Sequence, residues 1–120
     1  MFASKAQQKS LARLKNRADF LKIQSKGQKW VSHGLILQLM PNELGQKRVG
    51  FTVSKKVSNS AVKRNRIKRR LRAVAADILP LHAKDGVDYI LVGRPLTATR
   101  PYEALQNDLK WCLEKTGFTK

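Results

Sequence analysis

The residues of this chain whose types and spacing suggest a function are basic, and they cluster between positions 55 and 72. No Asp or Glu occurs between Glu43 and Asp77. Cations at this density are suited to binding phosphates, whereas a simple charge run is usually a solvated or disordered tail. The cations of this segment are Lys55, Lys56, Lys63, Arg64, Arg66, Lys68, Arg69, Arg70 and Arg72.

An apolar stripe runs through the same segment and continues beyond it. Ile67, Leu71, Val74 and Ile78 lie at i, i+4, i+7 and i+11, which is the repeat of a helix packed on a core. Ser60 or Asn59 can cap its start. The pattern therefore predicts a docked helix with a cationic surface, which the remaining circumference would carry through Asn65, Arg66, Lys68, Arg69, Arg70 and Arg72.

This helix breaks the rules of local stability. Lys63, Arg64 and Arg66 crowd its first turns, where the helix dipole disfavours each cation by ~0.3–1 kcal/mol. Like charges one turn apart add repulsion. Such violations mark candidate functional sites, and a bound polyanion would relieve both costs. The alternative is a solvated helix face without a partner, but such faces normally mix charges of both signs.

Composition points to the same kind of partner. The 120 residues include 25 Lys and Arg against 8 Asp and Glu, a net charge of +17, and 42% of them are hydrophobic, which suits one domain with one core. A charge this high opposes compaction, so we expect a polyanion, with nucleic acid favoured over a membrane surface. No apolar run approaches the ~20 residues of a membrane span.

Two sequence features predict the compartment. The first 15 residues contain no apolar stretch of the kind found in a secretory signal. Cys112 is the single cysteine, which excludes an internal disulfide and fits a reducing environment. We therefore expect a cytoplasmic protein.

Residues that could act in catalysis are scattered. Asp85 and Asp88 form the one close pair of acids, and they flank a turn glycine, which favours a turn over the clustered carboxylates of a metal site. His33 and His82 lack partners at zinc-ligand spacing. Cys112 falls on an apolar helix stripe, where it is more often a small hydrophobe than a nucleophile. We predict a binding protein with no catalytic residue and no metal site.

The first half of the chain predicts one helix and two strands. Residues 1–14 read as a flexible basic arm. A short helix follows, capped by Asn16, with Asp19 reaching back as in a capping box and Gly27 at its end. Strands over 35–40 and 48–54 should pair antiparallel across a turn at 41–45.

The second half predicts two more helices around one strand. The basic helix should end near Leu79, because Pro80 cannot continue it. An apolar strand spans 88–93, and a final helix has Pro101 in its first turn and ends near Gly117. Residues 29–32 could add an edge strand. The predicted fold is a single-domain α+β sandwich in the order α-β-β-α-β-α, with helices against one sheet.

The sequence weakly favours RNA over DNA as the nucleic-acid ligand. The elements that flank the basic helix read as strands, so a helix-turn-helix is not predicted. RNA recognition often combines a cationic surface with a sheet face that accepts a single strand. The small side chains of Thr52 and Ser54 leave room on such a face, although a solvent-facing sheet is equally compatible with them.

Two ordered stretches resemble the protein component of bacterial ribonuclease P. They are the strand Arg48–Val57 and the segment Ala61–Arg69, in which the triplet Arg64-Asn65-Arg66 follows an Ala-Val-Lys sequence. Further similarity covers Arg13-Leu14, Asp19-Phe20, the segment from Asp88 to Pro95 and the closing amphipathic helix. The ordered context is much more specific than a basic triplet alone.

The resemblance implies a fold and a role. The fold would be an α-β sandwich like the second domain of a small-subunit ribosomal protein, with a left-handed crossover between parallel strands, which general rules would reject. The role would be that of an auxiliary subunit of an endoribonuclease whose RNA subunit is the catalyst. That RNA removes the 5′ leader of precursor tRNA with bound Mg²⁺, while the protein binds no cofactor. One protein copy would bind one RNA.

The resemblance also implies roles for individual positions. The surface that would face the catalytic RNA comprises Lys63, Arg64, Asn65, Arg66, Lys68, Arg69, Arg70 and Arg72. The cleft for the single-stranded leader would comprise Phe20, Gln24, Gln38, Thr52, Lys55 and Lys56.

This sequence departs from the family pattern in two ways. Gln24 and Gln38 stand where many members have aromatic residues, so leader contacts would rest more on hydrogen bonds. One extra residue precedes the Arg-Asn-Arg triplet and leaves the geometry of the helix start open.

Two other classes of protein fit the same composition. A small ribosomal RNA-binding protein would co-purify with ribosomes and leave tRNA processing unchanged. A protein-only nuclease would keep its activity after all RNA had been removed.

Overall fold

The computed structural model describes residues 11–14, 16–42 and 44–119. Its elements, in chain order, are β1 Leu11–Arg13, α1 Arg17–Lys26, β2 Gln28–Val31, β3 Leu35–Pro41, β4 Lys47–Thr52, α2 Ala61–His82, β5 Val87–Gly93, a 3-10 helix Pro95–Ala98 and α3 Tyr102–Thr116. They form a mixed α+β domain, as the sequence predicts, with the possible edge strand present as β2. No helix of the described residues is long and apolar enough to cross a membrane.

The strands form one five-stranded mixed sheet in the order β1-β4-β5-β3-β2. β5 lies at its centre, parallel to β4 and antiparallel to β3. Its residues from Val87 to Leu91 are all buried, because helices cover both faces of the sheet at this point. Apart from Asp88, whose carboxylate accepts from Arg48, these residues are apolar, and such a run is typical of a strand enclosed on two sides. The parallel strands β4 and β5 are joined by α2; the handedness of that connection stays a prediction.

The sheet separates two hydrophobic clusters. The larger cluster packs α2 and α3 against one face, where Leu35, Leu37 and Leu91 are fully buried. The smaller cluster packs α1 against the other face through Ile23 and Ile90. Because side chains alternate along a strand, neighbouring positions of β3 and β5 serve opposite clusters. The molecule therefore has three layers, with α1 alone on its side.

The predicted antiparallel pairing of the strands at 35–40 and 48–54 is wrong. β3 and β4 do run in opposite directions, but β5 lies between them. The turn between them crosses the start of β5, where the backbone N–H of Asn42 donates to Gly86 O (2.9 Å). The Asn42 side-chain amide donates to Gln46 O (3.0 Å) and to Asp88 Oδ1 (2.7 Å). One asparagine thus connects both strands to the turn that precedes β5.

The predicted end of the basic helix and the predicted start of the final helix also differ from the structure. α2 continues past Leu79 to His82 with Pro80 inside it, and the last turn is closed by the Ala83 N–H donating to Leu79 O (3.0 Å). A proline near a helix end removes only one hydrogen bond, and the buried ring of Pro80 packs with its neighbours. Pro101 caps α3 from outside its first turn. Gly117 ends α3 with φ +80°, as predicted.

The basic arm predicted for residues 1–14 lies partly in the sheet. Leu11–Arg13 form β1, parallel to β4, and Leu14 is buried against α1 and β5. Three residues are too few to show a strand period, so composition alone assigned them to the arm. The prediction for residues 1–10 lies outside the described residues.

Candidate nucleic-acid interface

The start of α2 is held by hydrogen bonds from a compact loop. Ser60 is the cap, with its Oγ accepting from the Lys63 N–H (3.3 Å). Arg64 Nη1 donates to Ser58 O (2.8 Å), and the Val57 N–H donates to Ser54 O (3.1 Å). The loop before the Arg-Asn-Arg triplet therefore forms an ordered turn that is fixed to the helix by Arg64.

The apolar stripe of α2 is buried as predicted. Ile67, Leu71, Val74 and Ile78 are each at most 3% exposed, which fixes the rotation of the helix about its axis. Their burial directs the polar positions away from the core, and Lys63, Asn65, Arg66, Arg69 and Arg72 are exposed. The helix is docked and cationic.

Salt bridges do not neutralise the cations of α2 in the described part of the chain. Within the described part of the chain, no ion pair joins a Lys or Arg of α2 to a carboxylate; the salt bridges found there involve Lys47, Arg48 and Arg100. Surface charges that serve only solubility are normally mixed in sign. The surface is therefore suited to neutralisation by an external polyanion, whose phosphates would also favour the helix N-terminus.

One edge of the cationic surface flanks a cleft. Arg64, Lys68 and Arg72 succeed one another at four-residue spacing and therefore form one row along α2. Lys68 and Arg72 line a cavity of about 160 Å³ with Phe20 of α1 and Gly50 of β4. This row can contact a ligand that lies between α1 and α2.

Arg70, on the opposite edge, bonds within the protein. Its Nη1 donates to Ala98 O (3.3 Å) and its Nη2 to Arg100 O, and its side chain is only partly exposed. These bonds attach α2 to the 3-10 helix and to the segment that leads into α3. Two of the residues assigned to the RNA surface thus have a guanidinium held by backbone carbonyls, Arg64 by one and Arg70 by two.

A second, larger cavity extends the cleft on the far side of Phe20. It has a volume of about 350 Å³ and is lined by Arg17, Phe20, Gln24, Phe51 and Thr52, with Leu21 at its margin. Phe20 and Phe51 are shared with the smaller cavity. The predicted cleft residues Phe20, Gln24 and Thr52 are therefore brought together, with the ring of Phe20 between the two cavities.

The other three predicted cleft residues are placed differently. Lys55 and Lys56 lie exposed in the turn after β4 and are not among the residues that line the two cavities. Gln38 lies on β3, paired with Ile90 of β5, and Ile90 in turn pairs with Gly50. Gln38 shares the sheet face of the cleft but is two strands away from β4. Its Oε1 is buried without a hydrogen-bond partner.

The strand register reveals an open row beside α1. Thr52 pairs with Val92, Val92 with Ile36, and Ile36 with Val31. The first three are half-buried and Val31 is 46% exposed, whereas Gly50 and Ile90 in the adjacent row are covered. The cleft thus continues across the sheet as far as its edge strand. Sequence reasoning missed this row, because it depends on β5 lying between β3 and β4.

Sequence reasoning also missed the cationic and aromatic residues that complete the cleft. Arg13 and Arg17 line its two cavities, and Phe51 lines both. Phe51 is partly buried and also packs against the larger cluster. The sequence feature that could have predicted a role for Arg17 is its position in the first turn of the helix that carries Phe20.

An ion-pair network holds α1, the wall of the cleft, on the sheet. Arg48 of β4 donates through Nε to Asp88 Oδ1 (2.7 Å) and through Nη2 to Asp88 Oδ2 (2.6 Å). Its Nη1 reaches Asp19 Oδ2 of α1 at 3.4 Å. The hydrogen bonds that Arg48 donates to Asp88 raise the pKa of Arg48 above its usual value. Asp19 therefore bonds to the sheet, and Asn16 Oδ1 caps the helix by accepting from the Ala18 N–H (2.9 Å).

Potential metal ligands are not clustered in the described part of the chain, where no group of three or more His, Cys, Asp or Glu could hold a metal ion. His33 and His82 lie in different segments, one before β3 and the other at the end of α2. Cys112 is buried against the Trp30 backbone. Burial raises the pKa of its thiol to about 11, which keeps it protonated at neutral pH.

The fold and the site together define a small α+β protein with a cationic helix beside an open sheet face. A search with family models matches residues 9–117 to ribonuclease P. The chain belongs to the ribonuclease P protein family.

Curated relatives and solved structures agree with this membership. The ribonuclease P protein component of Paramagnetospirillum magneticum is 49% identical over 112 residues, which cover 89% of this chain and 84% of the relative. The Staphylococcus aureus RNase P protein superposes with a TM-score of 0.74 at 29% identity, covering 90% of this chain and 97% of that one. The Thermotoga maritima RNase P protein, at 22% identity and a TM-score of 0.73 over 86% of this chain and 96% of that one, supports the fold alone.

Proposed function

We propose that this protein is the RNA-binding subunit of ribonuclease P and assists removal of the 5′ leader from precursor tRNA. The observation that carries the proposal is the cationic surface of α2, whose Lys and Arg form no salt bridge with a described carboxylate and which lies beside a cleft of suitable shape for a single strand. Family membership supports the assignment to this particular ribonucleoprotein.

The catalytic RNA would bind the outward surface of α2. Lys63, Asn65, Arg66 and Arg69 are exposed there, and their side chains can reach phosphates without breaking a bond inside the protein. Phosphate contacts would fix the position of the protein on the RNA and carry little sequence information. Arg70 would contribute by holding α2 in place, since its guanidinium is engaged by Ala98 and Arg100.

The precursor leader would lie in the cleft between α1 and the sheet. A base stacked on Phe20 contributes roughly 1–3 kcal/mol, and Arg17, Lys68 and Arg72 are placed to neutralise leader phosphates. Gln24 lines the same cavity and can hydrogen-bond a base edge. Lys55 and Lys56 would attract the strand at the edge of the cleft. The open row Thr52–Val92–Ile36–Val31 offers the strand a continuation across the sheet.

The chemical step would belong to the RNA subunit and its bound Mg²⁺. The protein would supply affinity for the leader and neutralise repulsion between the two RNAs, so that less Mg²⁺ is needed for the same rate. One protein copy would act with one RNA in the bacterial cytoplasm.

Reconstitution with the matching RNA subunit tests this proposal. At low Mg²⁺ concentration the protein should stimulate precursor cleavage, and Arg66→Ala with Arg69→Ala should lower the apparent affinity for the RNA subunit. Glu103→Gln, an exposed position at the start of α3, is the matched control. If the wild-type protein fails to stimulate cleavage, the proposal is wrong.

The salt dependence of RNA affinity distinguishes binding through phosphates from binding through uncharged contacts. With about six phosphates contacted, log affinity should fall with log salt at a slope of roughly −4 to −5. A flat response would contradict the role assigned to α2. Co-purification with ribosomes without any effect on tRNA processing would instead favour a ribosomal RNA-binding protein, and cleavage by the protein after removal of all RNA would favour a protein nuclease.

A further inference from the structure

A separate cavity of about 460 Å³ opens between the end of β2, the residues after β5 and α3. Its lining includes Val31, His33, Arg94, Asn107 and Trp111, none of which lines the two cavities beside Phe20. We infer that this cavity binds one nucleotide of single-stranded RNA, with the base stacked on Trp111 and the phosphate near Arg94 and Lys115.

Trp111 presents an aromatic surface in a fixed orientation. The side chain is 42% exposed, although a large aromatic residue on α3 could have been buried with the stripe beside it. Its ring meets Trp30 edge to face, with centroids 5.6 Å apart and planes inclined by 63°. Such a contact fixes the ring and leaves part of it free. A base can stack on this part whatever its sequence, because every base has a π-face.

The charges around this ring favour an anion. Lys115 Nζ lies 5.8 Å from the Trp111 ring centroid, and Arg94 lines the cavity. The carboxylate of Asp108 also lines it but is paired with Arg100, whose Nε reaches Oδ2 at 2.6 Å and whose Nη2 reaches Oδ1 at 3.1 Å. The acid one turn from Trp111 on the other side, Glu114, is exposed, where solvent screens its charge.

The walls of the cavity are rigidly connected to the sheet. Arg94 Nη1 donates to Ser32 O, and the Arg94 N–H donates to Thr97 Oγ1 (2.9 Å). Thr97 Oγ1 in turn donates to Gly34 O. These bonds join the loop before β3 to the 3-10 helix, so the cationic group is positioned before a ligand arrives. Preorganisation of this kind lowers the entropic cost of binding.

A single RNA strand suits this site better than a protein partner. The exposed apolar residues in the lining are Val31 and Trp111, far less surface than the ~800 Å² per partner of a stable protein interface. A second copy of a chain with a net charge of +17 would be repelled. Val31 also ends the open row Thr52–Val92–Ile36–Val31. An RNA strand that crosses the sheet from the cleft would therefore arrive at the edge strand β2 and could enter this cavity by passing round that edge.

Fluorescence of the isolated full-length protein tests the inference. The chain has two tryptophans, so the variant Trp30→Phe makes Trp111 the single reporter. A five-nucleotide adenosine RNA should quench this fluorescence saturably, and an abasic ribose-phosphate pentamer should not. Quenching should persist in the variant Arg69→Ala, since α2 is not part of the site.

Charge variants sharpen the test. Lys115→Glu should weaken the quenching titration roughly tenfold, the equivalent of ~1.4 kcal/mol. Lys84→Glu is the matched control, because Lys84 also lies over an aromatic ring, that of Phe118, at 5.9 Å. Equal effects of the two substitutions would overturn the inference, since binding would then depend only on overall charge. Concentration-dependent self-association through this face would overturn it too.

Crosslinking gives an independent readout. An RNA pentamer carrying 5-iodouridine should crosslink to Trp111, and Trp111→Ala should abolish that product; crosslinks found only at α2 or around Phe20 would overturn the inference. Two tRNA ligands, one with a long 5′ leader and one without a leader, then identify which RNA occupies the cavity. If the bound nucleotide belongs to the leader, only the tRNA with the long leader should quench the fluorescence. Failure of these tests would leave the reconstitution experiment unaffected, because they use the protein without the RNA subunit.

Discussion

The ring of Phe20 lies directly over Gly50. A Cβ atom added to Gly50 would be 2.3 Å from Phe20 Cζ and 2.9 Å from Cε1. A glycine on β4 is therefore what allows α1 to approach the sheet and to place Phe20 between the two cavities of the cleft. The geometry of the cleft depends on the missing side chain as much as on the aromatic one.

Gly50→Ala should displace Phe20 and lower the free energy of unfolding by about 1–3 kcal/mol, as overpacking does elsewhere. Chemical denaturation measures this cost. In a double-mutant cycle with Phe20→Leu, the smaller side chain should recover part of the loss, giving a coupling energy above ~0.5 kcal/mol. Strictly additive costs would contradict the contact.

Arg70→Ala and Arg69→Ala should separate stability from RNA binding. Loss of the Arg70 bonds to Ala98 and Arg100 should cost roughly 1.5–3 kcal/mol of stability, whereas the exposed Arg69 should cost less than about 0.5 kcal/mol. Conversely, Arg69→Ala should reduce the salt slope of RNA affinity by about 1. Arg70→Lys keeps the charge without the forked donors, so it should stay destabilised. An undiminished stability in Arg70→Ala would refute the positioning role.

Asp88→Asn should loosen α1 from the sheet. The substitution removes the carboxylate that accepts two bonds from Arg48, whose side chain is only 21% exposed. Breaking a buried pair costs ~3–5 kcal/mol; partial exposure of Arg48 and its contact with Asp19 reduce our expectation to about 2 kcal/mol. Thermal unfolding compares this variant with Glu114→Gln, an exposed control. Equal midpoints for the two variants would speak against the network.

Cys112 should react slowly with thiol reagents in the native protein. Burial raises its pKa from 9.0 to about 11, so at pH 8 the thiolate fraction should fall about 100-fold. Since the raised pKa belongs to the folded state, this thiol should lower the free energy of unfolding as the pH rises from 9 to 11. Alkylation followed by mass spectrometry, with urea-unfolded protein as control, measures the first effect. Cys112→Ala should abolish the second, and rapid native alkylation would argue against a buried thiol.

Local patterns predicted the helices better than the sheet. The apolar stripe Ile67–Ile78 and the helix caps Asn16 and Ser60 are short-range features, and the structure confirms these predictions. Strand pairing depends on residues far apart in sequence, and the hairpin prediction failed because nothing in the turn at 41–45 indicates that β5 intervenes. The apolar strand predicted over 88–93 is present as β5, but its central position in the sheet was not predicted.

The site was predictable to the extent that it lies on one helix. The exposed cations of α2 follow from the helical repeat, but the engagement of Arg70 depends on carbonyls about 30 residues away. The cleft residues Phe20, Gln24 and Thr52 were assigned through family resemblance, and the structure brings them together. Gln38 could not be placed without the strand order, because its distance from Thr52 depends on β5.

The central position of β5 has a consequence for synthesis on the ribosome. Until Val87–Gly93 has emerged, β3 and β4 have no common neighbour, and the apolar stripe of α2 lacks the strand and α3 against which it packs. More than three-quarters of the chain (93 of 120 residues), including the whole cationic helix, must therefore leave the ribosome before the sheet can close. During that interval a basic, partly apolar segment is exposed next to ribosomal RNA, and β5 followed by α3 ends this exposure.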